Sequence, residues 1–230
     1  MLGGQVTTEF TSDTIVGELS DTVDRELDNS TFWRAFTRGE LPLEHVRDVF
    51  LQYYLWRNTF HRWFGVCIAK SPAFGSGRQT EYILQELSEH IEEEVSGDHH
   101  GLAVQFLKVL GVDNPRDVLP LPHTTAYENH FAELYMTPER SGDEALAALA
   151  GRELVAPKRN RLTIDAFQEK YGISESLEFF HLHEELEVEH FRGLWGAVAT
   201  QSEKDRRLVE AAKDQIVRHV RFWDDVHAAA

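Results

Sequence analysis

One segment, residues 179–195, constrains the fold of this chain most strongly. It carries His183, Glu187 and His190, whose i, i+4 and i+7 spacing places them within about 60° of one another on a helix. Apolar side chains surround them: Phe179, Phe180, Leu182, Leu186, Phe191, Leu194 and Trp195. Burying such polar groups is costly unless something pairs with them, and two imidazoles with a carboxylate suit a divalent transition metal. The alternative is a solvated face of an acidic chain.

Composition limits the classes of protein and partner. The chain has 230 residues, 42% of them hydrophobic, which is enough for one core, so we expect a single domain spanning residues 1–230. Its formal net charge of -16 and the lack of a basic stripe argue against nucleic acid and anionic membranes as partners. We therefore expect a small-molecule substrate.

Cysteine content and the N-terminal sequence indicate the compartment. Cys67 is the only cysteine, which excludes an internal disulfide and multi-cysteine metal sites. The start of the chain has no signal-peptide pattern, and no apolar run reaches the roughly 18 residues of a membrane span. These features predict a soluble cytoplasmic protein, with residues 1–11 as a flexible arm.

Hydrophobic periodicity predicts an all-α bundle of about seven to nine helices, because apolar residues recur at helical spacing and no alternating run stands out. The last two predicted helices begin after Ser174 and at residue 203. The others are predicted at 12–27, 31–37, 42–70, 78–111 with a possible interruption at Gly97, 124–135, and 143–171 with an interruption at Pro157.

The predicted helix 42–70 is rich in aromatic residues, most of which we assign to the core. A mixed polar and aromatic subset, Tyr53, Tyr54, Arg57 and His61, is a candidate substrate pocket. Arg57 could pair with a substrate carboxylate. This mixture favours an amino-acid-derived substrate, since a fatty-acid tunnel would need longer aliphatic faces.

Two further segments place ligand-type residues on apolar helix faces. If the helix continues through Gly97, Glu92 and His99 are two turns apart on one face, and Glu93 and His100 have the same spacing one residue later. Glu153 is a lone carboxylate on a face of small residues. Bundles can build dimetal sites from such side chains, but the ferritin-like Glu-x-x-His repeats are missing, so three helices rather than four would supply the ligands.

Three motifs occur in the order found in a known family. The segment 99–111, the stretch from Leu146 to Pro157, and the His183-x3-Glu187-x2-His190 helix resemble the corresponding elements of the haem-oxygenase-like diiron oxidases. That family includes the chlamydial para-aminobenzoate synthase CADD and is related to the folds of pyrroloquinoline-quinone synthase and the thiaminases. The resemblance implies a haem-oxygenase-like helical bundle.

The resemblance also implies a metal centre of two Fe²⁺ ions with O2 as co-substrate. Carried over by position, the six metal ligands would be Glu92, His99, Glu153, His183, Glu187 and His190, with Glu93 and His100 as the alternative register. The family usually has aspartate where this chain has Glu187. The implied activity is an O2-dependent non-haem diiron oxidase or oxygenase, which carries out N-oxygenation, desaturation or carbon–carbon cleavage in a biosynthetic pathway.

Other activities of related folds are weighed against this one. A haem oxygenase would need a proximal histidine in the first helix, and a thiaminase-type hydrolase would need a base beside Cys67; the sequence indicates neither. A metal-independent enzyme like pyrroloquinoline-quinone synthase and a non-catalytic metal-binding bundle stay as alternatives. The apolar stripe of the last helix is also compatible with a homodimer.

Overall fold

The fold follows from the helical periodicity of the chain. A computed structural model describes residues 12–75, 80–96, 98–202 and 206–230, and the predicted arm 1–11 lies outside these ranges. Within them every regular element is helical, which confirms the all-α prediction. The elements are α1 (Ser12–Asn29), α2 (Thr31–Thr37), α3 (Leu43–Arg57), α4 (His61–Ala69), α5 (Thr80–Ser96), α6 (His99–Val109), a 3-10 turn (Pro115–Asp117), α7 (Pro122–Tyr135), α8 (Gly142–Lys170), α9 (Glu178–Ser202) and α10 (Arg206–Ala229).

Two predicted long helices are each divided in the structure, so the described residues form ten α-helices. The predicted helix 42–70 breaks between Arg57 and His61. The apolar pattern of the sequence does not reveal this break, because α3 and α4 bury their aromatic rings in the same core. The ring centroids of Trp56 on α3 and Trp63 on α4, for example, are 5.4 Å apart. The second break separates α5 from α6 at Asp98, whose φ of 52° is left-handed. The sequence predicts this break at Gly97, which lies outside the described residues.

Helix α8 is the centre of the bundle, and it packs against α9 on one side and α10 on another. Ser141 begins it through a capping box, in which the Ser141 hydroxyl accepts from the Glu144 amide at 3.1 Å and Glu144 accepts from the Ser141 amide at 2.8 Å. The predicted interruption at Pro157 is wrong, because the helix is continuous there. Proline removes one N–H, which in a regular helix would bond the carbonyl of Glu153.

Two helix starts differ from the sequence prediction. Helix α9 begins at Glu178 rather than after Ser174, with Ser176 in a left-handed conformation (φ 59°) just before it. Helix α10 is described from Arg206, and its predicted start at 203 lies outside the described residues. None of the described helices is long and apolar enough to cross a membrane.

A polar network is buried between α7, α8 and α10. The Arg159 guanidinium donates to His219 Nε2 at 3.0 Å, and His219 Nδ1 lies 2.7 Å from the Tyr127 hydroxyl. Burial first, and then the neighbouring Arg159 charge, lower the pKa of His219 well below its usual value of 6.5. His219 is therefore neutral in the folded protein at neutral pH.

This network predicts how stability depends on pH. Below about pH 6.5 the unfolded chain binds a proton at residue 219 that the folded chain excludes, so the free energy of unfolding falls as pH falls. His219 therefore contributes a loss of stability that grows as the imidazole of the unfolded chain becomes protonated below about pH 6.5. Urea unfolding should therefore show a smaller acid-induced loss for His219→Gln than for the unsubstituted protein. If both proteins lost the same free energy of unfolding on acidification, His219 would not be the group responsible.

Candidate metal centre

Seven potential metal ligands from α5, α6, α8 and α9 meet in two clusters. The first, called the four-residue cluster, contains His90, Glu153, Glu187 and His190. The second, called the three-residue cluster, contains Glu94, His99 and His183. In each cluster one ligand atom from every residue lies within 4.8 Å of the others. Helix α9 contributes to both, because His183 and Glu187 are one turn apart.

The side chains of the four-residue cluster are all buried. Glu153 and Glu187 are 0% exposed, and the His90 and His190 rings stack with their centroids 3.4 Å apart. His190 Nδ1 lies 3.1 Å from Glu187 Oε2, and His90 Nε2 lies 3.8 Å from Glu153 Oε1. The cluster thus presents two carboxylates and two imidazoles to a common point.

A buried arginine compensates the charge of this cluster. The Arg152 guanidinium donates to Glu153 and, at 3.1 Å, to Glu187 Oε1. The guanidinium also lies over the Phe60 ring, with its carbon 4.2 Å from the centroid. Without a cation beside them, two carboxylates at this depth would be strongly disfavoured.

The pKa values of the two carboxyl groups are shifted in opposite directions. Burial raises the pKa of Glu153 well above its usual range against the lowering effect of Arg152, and the charge of Glu187 raises it further. Burial acts on Glu187 in the same direction, but Arg152 and hydrogen bonds from Glu153 and His190 outweigh it and hold the pKa of Glu187 well below its usual range. The pair therefore shares one proton, which Glu153 carries.

The pKa values of the two histidines in this cluster shift in opposite directions. Burial lowers the pKa of His90 to about 3, so this imidazole is neutral and available as a ligand at neutral pH. Burial also acts to lower the pKa of His190, but hydrogen bonds and charges from Glu187 and Glu93 raise it overall. Glu93 approaches His190 from the surface side, with Oε2 2.6 Å from Nε2.

The three-residue cluster has a fixed histidine orientation. His183 Nδ1 donates to the Phe179 carbonyl at 2.6 Å, which leaves the lone pair on Nε2. That nitrogen lies 3.8 Å from Glu94 Oε1, and His99 Nδ1 lies 3.3 Å from Glu94 Oε2. Burial lowers the pKa of His183, so its ring is neutral.

Arg57 is the cation that pairs with the three-residue cluster. It pairs with Glu94, and its Nη2 lies 3.1 Å from His183 Nε2. Burial acts to raise the pKa of Glu94, but Arg57 and the two histidines hold it well below its usual range. Among the described residues, each cluster therefore combines two histidines and at least one carboxylate with one arginine.

The structure brings five of the six ligand candidates from the sequence together: His99, Glu153, His183, Glu187 and His190. Glu92 is exposed and joins neither cluster. The expected Glu92–His99 face does not form, because α5 ends at Ser96 and the turn at Asp98 changes the helical phase. Of the alternative pair, Glu93 has a half-exposed side chain that contacts His190, and His100 lies outside both clusters. The site also takes ligand candidates from four helices, rather than the three that the sequence predicts.

Sequence reasoning missed His90, Glu94 and Arg152. His90 and Glu94 form a His-x3-Glu pair on α5, the same spacing as His183 and Glu187 on α9, and this repeat was the available signal. Arg152 is adjacent to Glu153 in sequence, but nothing in the sequence indicated that its charge would be buried.

The four predicted substrate residues separate into two groups. Arg57 and His61 line a cavity of about 240 Å³ beside the three-residue cluster, which we call the Arg57 cavity. Tyr53 is buried against Trp223, with ring centroids 4.8 Å apart, and the hydroxyl of buried Tyr54 lies 3.4 Å from His100 Nε2. Asn58, Phe64, Glu94 and His100 also line this cavity.

Unsatisfied polar atoms provide a test of whether a metal ion fits. Among the described residues, both ring nitrogens of His90, Glu153 Oε1 and Arg152 Nε are buried without a hydrogen-bond partner. Native proteins rarely leave such atoms unpaired, and coordination to an ion would satisfy the imidazole nitrogen and the carboxylate oxygen. Imidazole and carboxylate donors suit Fe, Mn or Zn, so the residues present fit a transition metal.

Comparisons with known proteins agree with this chemistry. The model of the Haem_oxygenas_2 family, described as iron-containing redox enzymes, matches residues 47–224. A search of curated proteins finds no match.

Solved structures share the fold at low sequence identity. A Shewanella denitrificans domain of unknown function with a haem oxygenase-like fold is 15% identical, with a TM-score of 0.76 over 96% of this chain and 94% of that chain. A CADD-like protein of unknown function from Nostoc punctiforme is 19% identical, with a TM-score of 0.75 over 95% and 97%. A TenA homologue from P. horikoshii is 16% identical, with a TM-score of 0.71 over 94% and 99%. The haem-oxygenase-like fold is thereby confirmed.

Proposed function

This chain belongs to the family of iron-containing redox enzymes whose model matches it, and from that premise we propose that it is an O2-dependent non-haem diiron oxidase or oxygenase. The observation that carries the proposal is the pair of adjacent buried clusters, which together offer three carboxylates and four histidines. Two clusters joined through α9 suit two metal ions better than one.

Each cluster would hold one iron. His90, Glu153, Glu187 and His190 would bind the first ion, and Glu94, His99 and His183 the second. Bound iron supplies the electrons and the O2 chemistry that no side chain provides. The proton on Glu153 would leave when the metal binds, because a ligating carboxylate must be deprotonated.

The surrounding side chains would orient the ligands and exclude water. The Phe179 carbonyl holds His183 in the tautomer whose Nε2 carries the lone pair, which faces Arg57 here and would coordinate a metal ion. The rings of Phe60 and Trp56 pack against Arg152, with guanidinium-to-centroid distances of 4.2 Å and 5.5 Å. Such an enclosure limits the access of solvent to the cluster.

The Arg57 cavity is the proposed substrate site. Arg57 lies between this cavity and the three-residue cluster, and it contacts Glu94 and His183, two of the residues that would bind the second ion. An anionic substrate in the cavity would compete with Glu94 for the guanidinium. The polar lining by Asn58, His61 and His100 beside Phe64 favours a small carboxylate such as an amino-acid derivative.

A metal-independent enzyme of the same fold is the second candidate. Arg152 and Arg57 already compensate the buried carboxylates, so the site is charge-balanced by its own side chains. The histidines and acids would then carry out acid–base catalysis on a bound ring. This alternative predicts that chelation leaves activity unchanged.

Oxygen uptake distinguishes these functions. Metal-free protein would be loaded with Fe²⁺ under anaerobic conditions and then mixed with O2 under an absorbance probe. The diiron proposal predicts O2 consumption and an absorption change from oxidised iron only in the loaded protein. The proposal would be contradicted if the loaded protein consumed no more O2 than the same amount of Fe²⁺ in solution without protein, whether or not amino-acid derivatives are added.

The position of the α5 carboxylate ligand is a separate prediction. Glu94→Gln removes the only carboxylate of the three-residue cluster, so we expect the protein to lose about one of two bound metal ions per chain. Glu92→Gln is the matched control, because Glu92 lies two residues away on the same helix and is exposed. Metal analysis of the purified variants measures the number of bound ions per chain. If Glu92→Gln rather than Glu94→Gln lost metal, the ligand would be Glu92, as predicted from sequence.

A further inference from the structure

A second cavity, of about 340 Å³, opens between α5 and α9 at the four-residue cluster. Carboxylates of Glu86, Glu89, Glu93 and Glu189 line it, and among the described residues the only guanidinium in its lining belongs to Arg192, which pairs with Glu189 at 2.5 Å. We call it the acidic cavity. Its lining therefore carries an excess of negative charge, whereas the Arg57 cavity contains a buried arginine.

His90 and His190 are the buried polar residues in the lining of the acidic cavity. His90 is 3% exposed, and neither of its ring nitrogens has a hydrogen-bond partner among the described residues. A buried imidazole with two unpartnered nitrogens in the lining of an acidic cavity is an observation independent of the carboxylates. It points to a cation as the ligand that this cavity receives.

The carboxylates form a path from the surface to the histidines. Glu89 and Glu189 are exposed, and Glu86 is partly buried. Burial, and then the charge of Glu89, raise the pKa of Glu86, as expected where like charges are held together. Glu93 has a half-exposed side chain and also contacts His190 Nε2 at 2.6 Å, so one carboxylate reaches both solvent and cluster.

We propose that the acidic cavity is the loading route by which a divalent cation reaches the four-residue cluster, with Glu93 passing the ion to His190. Negative charge lining a cleft concentrates cations and accelerates their association by about 10- to 1000-fold, in a way that salt suppresses. The proposal rests on the function proposed above, because it requires the four-residue cluster to bind metal. Anionic substrates would be repelled here and would use the Arg57 cavity.

The rate of metal uptake tests this route without any enzyme activity. Metal-free full-length protein would be mixed with Co²⁺ in a stopped-flow instrument, and binding would be followed by cobalt absorption. The test variant combines Glu86→Gln, Glu89→Gln and Glu189→Gln, which leaves Glu93 and every cluster residue in place. The control combines Glu133→Gln, Glu139→Gln and Glu175→Gln, three exposed carboxylates outside the cavity lining, with the same change in net charge.

We expect the test variant to load about 10-fold more slowly at low ionic strength, the control to load at nearly the rate of the unsubstituted protein, and high salt to remove the difference. The final cobalt content should be equal in all three proteins. Equal loading rates for the test variant and the unsubstituted protein would overturn the route but not the metal site. An unsubstituted protein that takes up no cobalt would overturn both proposals.

Discussion

Replacing Arg152 with methionine is expected to destabilise the metal-free protein by about 3–5 kcal/mol, the typical cost of removing one partner from a buried ion pair. The substitution leaves Glu153 and Glu187, both 0% exposed, without their cation. Methionine keeps most of the volume against Phe60, so the loss reports the charge rather than a cavity. Urea unfolding in the presence of a chelator measures the effect.

Divalent metal should then stabilise Arg152→Met more than it stabilises the unsubstituted protein. A bound Co²⁺ or Mn²⁺ replaces the missing positive charge, and an ion present at about 1000 times its Kd contributes about 4 kcal/mol. The unsubstituted protein gains less, because its arginine already compensates the carboxylates. Arg161→Met is the control, since Arg161 lies on the same helix, is exposed and pairs with Glu184 outside both clusters. An Arg152→Met protein that is unstable and does not respond to metal would indicate a purely structural ion pair.

Alanine at Glu153 or at His183 is expected to reduce bound iron sharply while leaving helical content nearly intact. The two substitutions act on different clusters, so each should remove about one of two irons per chain. Glu153→Ala also removes the shared proton and leaves Arg152 paired with Glu187 alone. Iron analysis and circular dichroism of the purified proteins measure the two quantities.

The matched control for this pair is Glu185→Ala, an exposed carboxylate on α9 between His183 and Glu187. It should retain the full iron content. If both Glu153→Ala and His183→Ala keep two irons per chain, the ligand assignment is wrong. If either variant loses both irons while its fold is preserved, the two clusters bind metal cooperatively rather than as independent sites.

The helix that carries His183, Glu187 and His190 was predictable because these three side chains share one face and apolar residues flank them along the helix. Glu153 was predictable for the same reason, since a carboxylate among small residues on α8 must be buried. These inferences depend only on periodicity within one unbroken helix. The all-α class followed from the same regularity.

The α5 ligand was predicted wrongly, because the prediction used a spacing that crosses a break between two helices. Counting seven residues back from His99 leads to Glu92, but the left-handed turn at Asp98 changes the helical phase between α5 and α6. Within α5, His90 and Glu94 are about 40° apart, whereas Glu92 lies about 160° from His90. Arg152 was missed for a different reason, since burial of its charge depends on tertiary packing against Phe60 and Trp56.

Anaerobic titration of metal-free protein with Fe²⁺, with the bound iron counted per chain, tests the central claim most directly. The account predicts saturation at about two irons per chain, a fall to about one in Glu94→Gln, and no change in Glu92→Gln. An unsubstituted protein that binds no iron while His183 and His190 stay buried would contradict it. That result would favour the metal-independent enzyme, in which Arg152 and Arg57 are the only cations that the clusters need.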